Sequence, residues 1–105
     1  MPTVFWFSKL QPGAKAEEYE SWVQRVDYVM AKQIPSIISY RVYRVNGVCM
    51  GDDPAMYDYV EIVEITDIDV YRHEIRNHPA AEPIMAEIRN YVASVGNVWG
   101  QVVED

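Results

Sequence analysis

Two β-prone segments of this chain carry large apolar residues on both sides, and this limits the possible folds more than any other feature. Residues 3–10 place Val4, Trp6 and Leu10 at alternate positions with Phe5 and Phe7 between them. Residues 57–65 do the same, with Tyr57, Tyr59, Val63 and Ile65 on one side and Val60 and Ile62 on the other. Successive side chains of a strand point to opposite faces, so a sheet with one wet face would alternate apolar and polar residues. These segments do not, and both faces of their sheet require cover. One layer of helices covers a single face, and a large uncovered apolar face marks a partner surface or ligand site. Face-to-face pairing with a second copy about a twofold axis would cover it. The expected assembly is a homodimer, with an aromatic-lined pocket between the two sheets.

The order of elements follows from periodicity and punctuation. Strand 1 (3–10) ends at the turn Gln11-Pro12-Gly13. From about Lys15, the residues Tyr19, Trp22, Val23, Val26, Val29 and Met30 recur at helical spacing. Glu17, Glu18, Glu20, Gln24, Arg25 and Asp27 fall on the other side, with the acidic start that a helix dipole favours. Pro35 stops that helix, and 37–45 is a second strand rich in β-branched and aromatic residues, ending at Asn46-Gly47. An exposed connection over 48–55 leads to strand 3 (57–65). Thr66 with Asp69 resembles a capping box and predicts a helix from about Asp67, with Ile68, Tyr71 and Ile75 inward. Pro79 breaks this helix; Ile84, Met85, Ile88, Tyr91 and Val92 resume the stripe, Gly96 ends it, and 98–103 is strand 4. The order βαββαβ predicts an α+β fold of ferredoxin-like type, a four-stranded antiparallel sheet with both helices on one side.

At 105 residues the chain has room for a single domain spanning 1–105. Sixteen acidic against nine basic side chains give a net charge of -7, which repels phosphate backbones and anionic lipid, so neither nucleic acid nor a membrane is an expected partner. No apolar run has the length of a membrane span, and Met1, Pro2 and Thr3 lack the basic start of a signal peptide, which predicts a cytoplasmic protein. A single cysteine, Cys49, excludes an intrachain disulfide and a cysteine-rich zinc site. The G-x-x-x-x-G-K, G-x-G-x-x-G and G-x-S-x-G patterns are missing, which sets aside the usual phosphate, dinucleotide and serine-hydrolase machinery.

Glu61 is the leading candidate for chemistry, because it lies in strand 3 on the same face as Tyr59 and Val63. If that face lines the pocket, desolvation raises its pKa and suits it to acid or base work; otherwise it is a rim carboxylate paired with Arg41 or Arg44. Tyr40 and His78 are candidate catalytic hydrogen-bonding partners, His78 because it stands at the helix break, where it could also simply cap. Phe5, Trp6, Phe7, Tyr59 and Trp99 are candidate ligand walls, although such aromatics also serve as core or interface anchors. His73 reaches a ligand only if its helix face meets the second subunit. His73, Glu74 and His78 have helical spacing, but Pro79 ends the turn that would present them, so no metal site is assigned.

Leu10-Gln11-Pro12-Gly13 before the first helix, Tyr59-Val60-Glu61-Ile62-Val63-Glu64 in strand 3, and the histidines flanking the helix break resemble the dimeric α+β barrel superfamily, over nearly the whole chain. That superfamily includes cofactor-free monooxygenases, haem-degrading enzymes and small-molecule cyclases. Asp58-Tyr59-Val60-Glu61 and Asn77-His78-Pro79-Ala80 are similar to the REDY-like proteins found with prodiginine pigment biosynthesis. The resemblance implies a homodimer whose pocket, without a cofactor, takes a small hydrophobic aromatic intermediate of secondary metabolism, such as a bipyrrole. Enzyme and non-catalytic shuttle both remain open on these residues. Haem degradation ranks third, because it needs an axial ligand and His73 faces away from the core.

Overall fold

A computed structural model describes residues 1–105. The elements in chain order are β1 (Pro2–Leu10), α1 (Ala16–Trp22), a π-helical segment (Val23–Asp27), α2 (Tyr28–Ala31), β2 (Ile37–Arg44), β3 (Tyr59–Ile65), α3 (Ile68–Asn77), α4 (Glu82–Glu87), a 3-10 turn (Ile88–Asn90) and β4 (Val92–Gln101). The strands form one sheet in the order β2-β3-β1-β4 with every pair antiparallel, a ferredoxin-like α+β fold. No helix is long and apolar enough to cross a membrane.

The register sorts the side chains into two faces. Tyr40, Val63, Val4 and Trp99 stand side by side across the sheet, and so do Val42, Glu61, Trp6 and Asn97. These rows face the helices: Tyr19, Trp22 and Val23 pack with Tyr59 and Val92, while Tyr71 packs on Val4, Val63 and Ile65. A third cluster, Met30, Ile34 and Ala81, joins the end of α2 to the segment between α3 and α4. Trp22 is only 1% exposed, and truncating a buried side chain of that size to alanine typically costs about 3–5 kcal/mol. On the opposite face, Arg41, Ile62, Phe5 and Val98 form one row and Tyr43, Val60, Phe7 and Gly96 the next. Both faces of β1 and β3 are therefore apolar, as their sequence pattern implies.

Three boundaries differ from expectation. β4 begins at Val92 rather than at residue 98, because the second helical run closes in a 3-10 turn at Asn90 and Val92 then pairs with Leu10. Gly96 is no helix cap. It sits inside β4 opposite Phe7, where an added Cβ would lie 3.8 Å from the phenyl ring. β3 starts at Tyr59, and Tyr57 instead tilts against Phe7 with ring centroids 4.6 Å apart. The cap of α3 is Asp67, not Thr66: its carboxylate accepts the Val70 N–H at 2.9 Å. The break at Pro79 is where expected, with His78 in extended conformation and its Nδ1 accepting the Ala80 N–H at 3.1 Å.

Candidate functional site

Between the sheet and the helices lies a cavity of about 750 Å³, within the size range of small-molecule sites. Its walls are mainly apolar, with Met30, Ile37, Val63, Ile75 and Val92 among them, and Trp6, Tyr40 and Tyr71 supply aromatic surface. Exposed lining residues, including Arg76, Glu82, Ala86 and Arg89, mark the mouth. Two carboxylates, Glu61 and Asp27, reach the cavity from opposite layers, one from the sheet and one from the helices.

Glu61 is 7% exposed and Asp27 fully buried. The Tyr19 hydroxyl donates to Glu61 Oε1 at 3.2 Å, and the Tyr40 hydroxyl donates to Asp27 Oδ2 at 2.6 Å. Burial, then the nearby Asp27 charge, push the Glu61 carboxyl up to about 8, against the opposing pull of the Tyr19 and Tyr40 hydroxyls. Burial pushes Asp27 up to about 6, with the Tyr40 hydrogen bond opposing it. With burial raising one carboxyl to about 6 and the other to about 8, the coupled pair retains a proton into the neutral range. Tyr19 and Tyr40 are raised above the usual phenol range by burial and by these carboxylates, so both stay protonated as donors. Asp27 Oδ1 has no hydrogen-bond partner. Tyr71 receives a hydrogen bond from the Trp6 indole at 3.1 Å, which orients its hydroxyl at the cavity wall.

The expected site residues divide. Glu61, Tyr40 and Trp6 line the cavity together. Phe5 and Phe7 lie on the outer face of the sheet, because β1 alternation sends them away from Trp6. Tyr59 is buried, but its hydroxyl donates to Glu20 at 2.7 Å outside the main cavity. Trp99 is on the helix side of the edge strand, 44% exposed and beyond the lining. His73 is exposed on α3, held to Asn77, and His78 caps the break; neither reaches the cavity. The cavity itself lies under the helices rather than between two sheets. Neither arginine considered as a partner for Glu61 serves it: Arg44 donates to Glu20 at 2.7 Å, and Arg41 stands on the outer face opposite Ile62.

Asp27, Tyr19 and Tyr71 were not singled out for chemistry by the sequence. Asp27 had a signal: it follows Tyr19 and Val23 at intervals of four, which places it on their buried face. The π-helical segment that ends at Asp27 is a further mark, since such insertions are frequent at functional sites.

An antiparallel β2-β3-β1-β4 sheet whose helix side encloses an apolar cavity with two buried carboxylates defines a ferredoxin-like α+β protein. Within it, the chain belongs to the REDY-like HapK family, whose sequence profile matches residues 2–103. Its structure is similar to that of HapK from Hahella chejuensis, with TM-score 0.82 and 25% identity over 100% of this chain and 95% of that one. It also resembles SnoaB, a cofactor-independent oxygenase from Streptomyces nogalater, with TM-score 0.73 and 18% identity over 99% and 94% of the two chains. A dimeric ferredoxin-like protein of unknown function from Thermobifida fusca matches with TM-score 0.66 and 16% identity over 98% and 90%. The last two likenesses concern the fold alone. No curated protein matches the chain in sequence.

Proposed function

We propose that the cavity takes a hydrophobic aromatic intermediate of secondary metabolism, of bipyrrole type, and moves protons on it with the pair Glu61 and Asp27, without a resident cofactor. The observation that carries this is the pair: two buried carboxylates line one apolar cavity, and burial raises both above the usual carboxylate range. Glu61, the more strongly raised of the two, can protonate an electron-rich ring carbon in its neutral form, and Asp27, whose buried Oδ1 has no hydrogen-bond partner, can take a proton from the same ligand in its charged form. Tyr40 holds Asp27 in place and Tyr19 holds Glu61. Haem degradation is less well supported, because neither histidine lines the cavity.

The protein works as a homodimer through the outer face of the sheet. Support comes from Phe5, Phe7, Val60 and Ile62 on that face, from Val98 at 57% exposure, and from the dimeric fold relative.

Proton transfer is tested with 2,2′-bipyrrole in D2O, following ring C–H exchange by NMR. The protein accelerates exchange over buffer, and Glu61→Gln abolishes the acceleration while binding persists. Binding with no exchange by the unaltered protein, at any pH, supports the shuttle instead.

A further inference from the structure

Arg76, in the last turn of α3, and Arg89, in the 3-10 turn before β4, both line the cavity mouth and both are exposed. Neither has a carboxylate within salt-bridge distance; the two ion pairs of the structure use Arg44 and Arg72. Acidic neighbours in sequence are engaged elsewhere. Glu87 accepts the Trp22 indole N–H at 2.6 Å, and Glu74 accepts the Ser36 backbone N–H at 2.9 Å. Glu82 is the one carboxylate on the rim. The mouth therefore carries two positive side chains and one negative on a protein of net charge -7. The floor carries two acids, Asp27 and Glu61, and no basic side chain.

We propose that Arg76 and Arg89 form an anion clamp, and that the ligand is an aromatic acid whose carboxylate stays at the mouth while its rings fill the cavity. This rests on the cavity being the ligand site, and it adds the ligand's charge and orientation. Guanidinium groups pair with carboxylates in planar, two-pronged geometry. Two acids with no basic partner at the floor disfavour an anion there, so an acidic ligand has one favourable orientation, with its apolar end toward Glu61 and Asp27.

The test uses two fluorescent probes that differ by one acidic group, 8-anilinonaphthalene-1-sulfonate and neutral N-phenyl-1-naphthylamine. At low salt the anionic probe binds about fivefold more tightly, the scale expected of two exposed ion pairs. That preference disappears in the double variant Arg76→Gln/Arg89→Gln and at about 1 M salt, where the screening length is about 3 Å. Affinity for the neutral probe is unchanged in the double variant. 2-Naphthoate displaces the anionic probe more effectively than 2-naphthamide does. Equal affinity for the two probes, or a preference that survives in the double variant, overturns the clamp and leaves the cavity standing. Ala86→Trp, which plugs the mouth from an exposed position, weakens binding of both probes. If it weakens neither, the probes sit outside the cavity, and the site and the clamp fall together.

Discussion

On the helix side of the sheet, Val4 and Val63 are closed in by Tyr71, and the row beside them brings Glu61 and Trp6 to a cavity. On the outer side, Phe5, Phe7, Val60 and Ile62 form an apolar strip beside Arg41 and Tyr43, and none of the four packs into the clusters beneath the helices. The two faces come from the same strands and differ by one residue in phase. Burying polar groups is costly unless they are bonded or neutral, yet the helix side holds Asp27 and Glu61 under two tyrosine hydroxyls. That is an expensive arrangement for stability alone, whereas the outer face has the composition of a surface meant for contact. Under the proposed function, the buried polar groups are the reactive ones and the outer face is the one that assembles.

The largest effect that can break this contrast is on turnover. Glu61→Gln keeps the shape of the site and removes the proton, so bipyrrole exchange falls by about 10²–10⁴-fold, the range for loss of a general acid or base. A variant that retains full exchange would remove Glu61 from the chemistry. Next comes the pH dependence of stability. Burial pushes Glu61 up to about 8 in the fold, against about 4.3 in the unfolded chain, so the native state binds more protons between these values. Its contribution is fully present below about 4.3 and is lost as pH rises through about 8. Asp27 acts in the same sense up to about 6. Urea unfolding should therefore show stability falling from pH 5 to pH 8, and Glu61→Gln should flatten the slope and stabilise the protein at pH 8. A mutant equally destabilised at both values contradicts the buried-acid account.

On the outer face, Phe7→Asp should convert a species of twice 12.2 kDa into one of 12.2 kDa by light scattering, while Glu61 titrates as before. A wild-type protein that stays monomeric at micromolar concentration would leave that face without its proposed role. The smallest effect expected is none. Arg41→Ala, on the outer face, should leave the Glu61 titration unchanged, and a shift would mean that the two faces communicate through the sheet.

The legible parts of the molecule are those whose pattern has one period. Side chains of β1 and β3 point to alternate faces, so Glu61 on one face with Tyr59 and Val63 follows from counting by twos, whereas its place beside Trp6 comes from the register of the two strands. Val92 continues a helical stripe by spacing alone, and only its pairing with Leu10 of β1 turns it into the start of β4. Asp27 fell to the polar side of the helix because a charged residue among Glu17, Glu18, Glu20 and Arg25 looks solvated. The π-helical segment and the Tyr40 hydroxyl, on a strand thirteen residues later, are what keep it inside. The pocket could not be placed from sequence. Aromatic residues occupy both faces of β1, and the face that encloses the cavity depends on Met30, Ile75 and Met85, which arrive from three separate helices.

The central claim is that Asp27 and Glu61 form one buried, charge-coupled pair that retains a proton into the neutral range. It is tested most directly by 13C NMR titration of the Glu61 side-chain carboxyl in the wild type and in Asp27→Asn. The account predicts a midpoint of about 8 in the wild type and a lower one in the variant, because the Asp27 charge has been removed. A wild-type midpoint near 4.5, unchanged by Asp27→Asn, would contradict it.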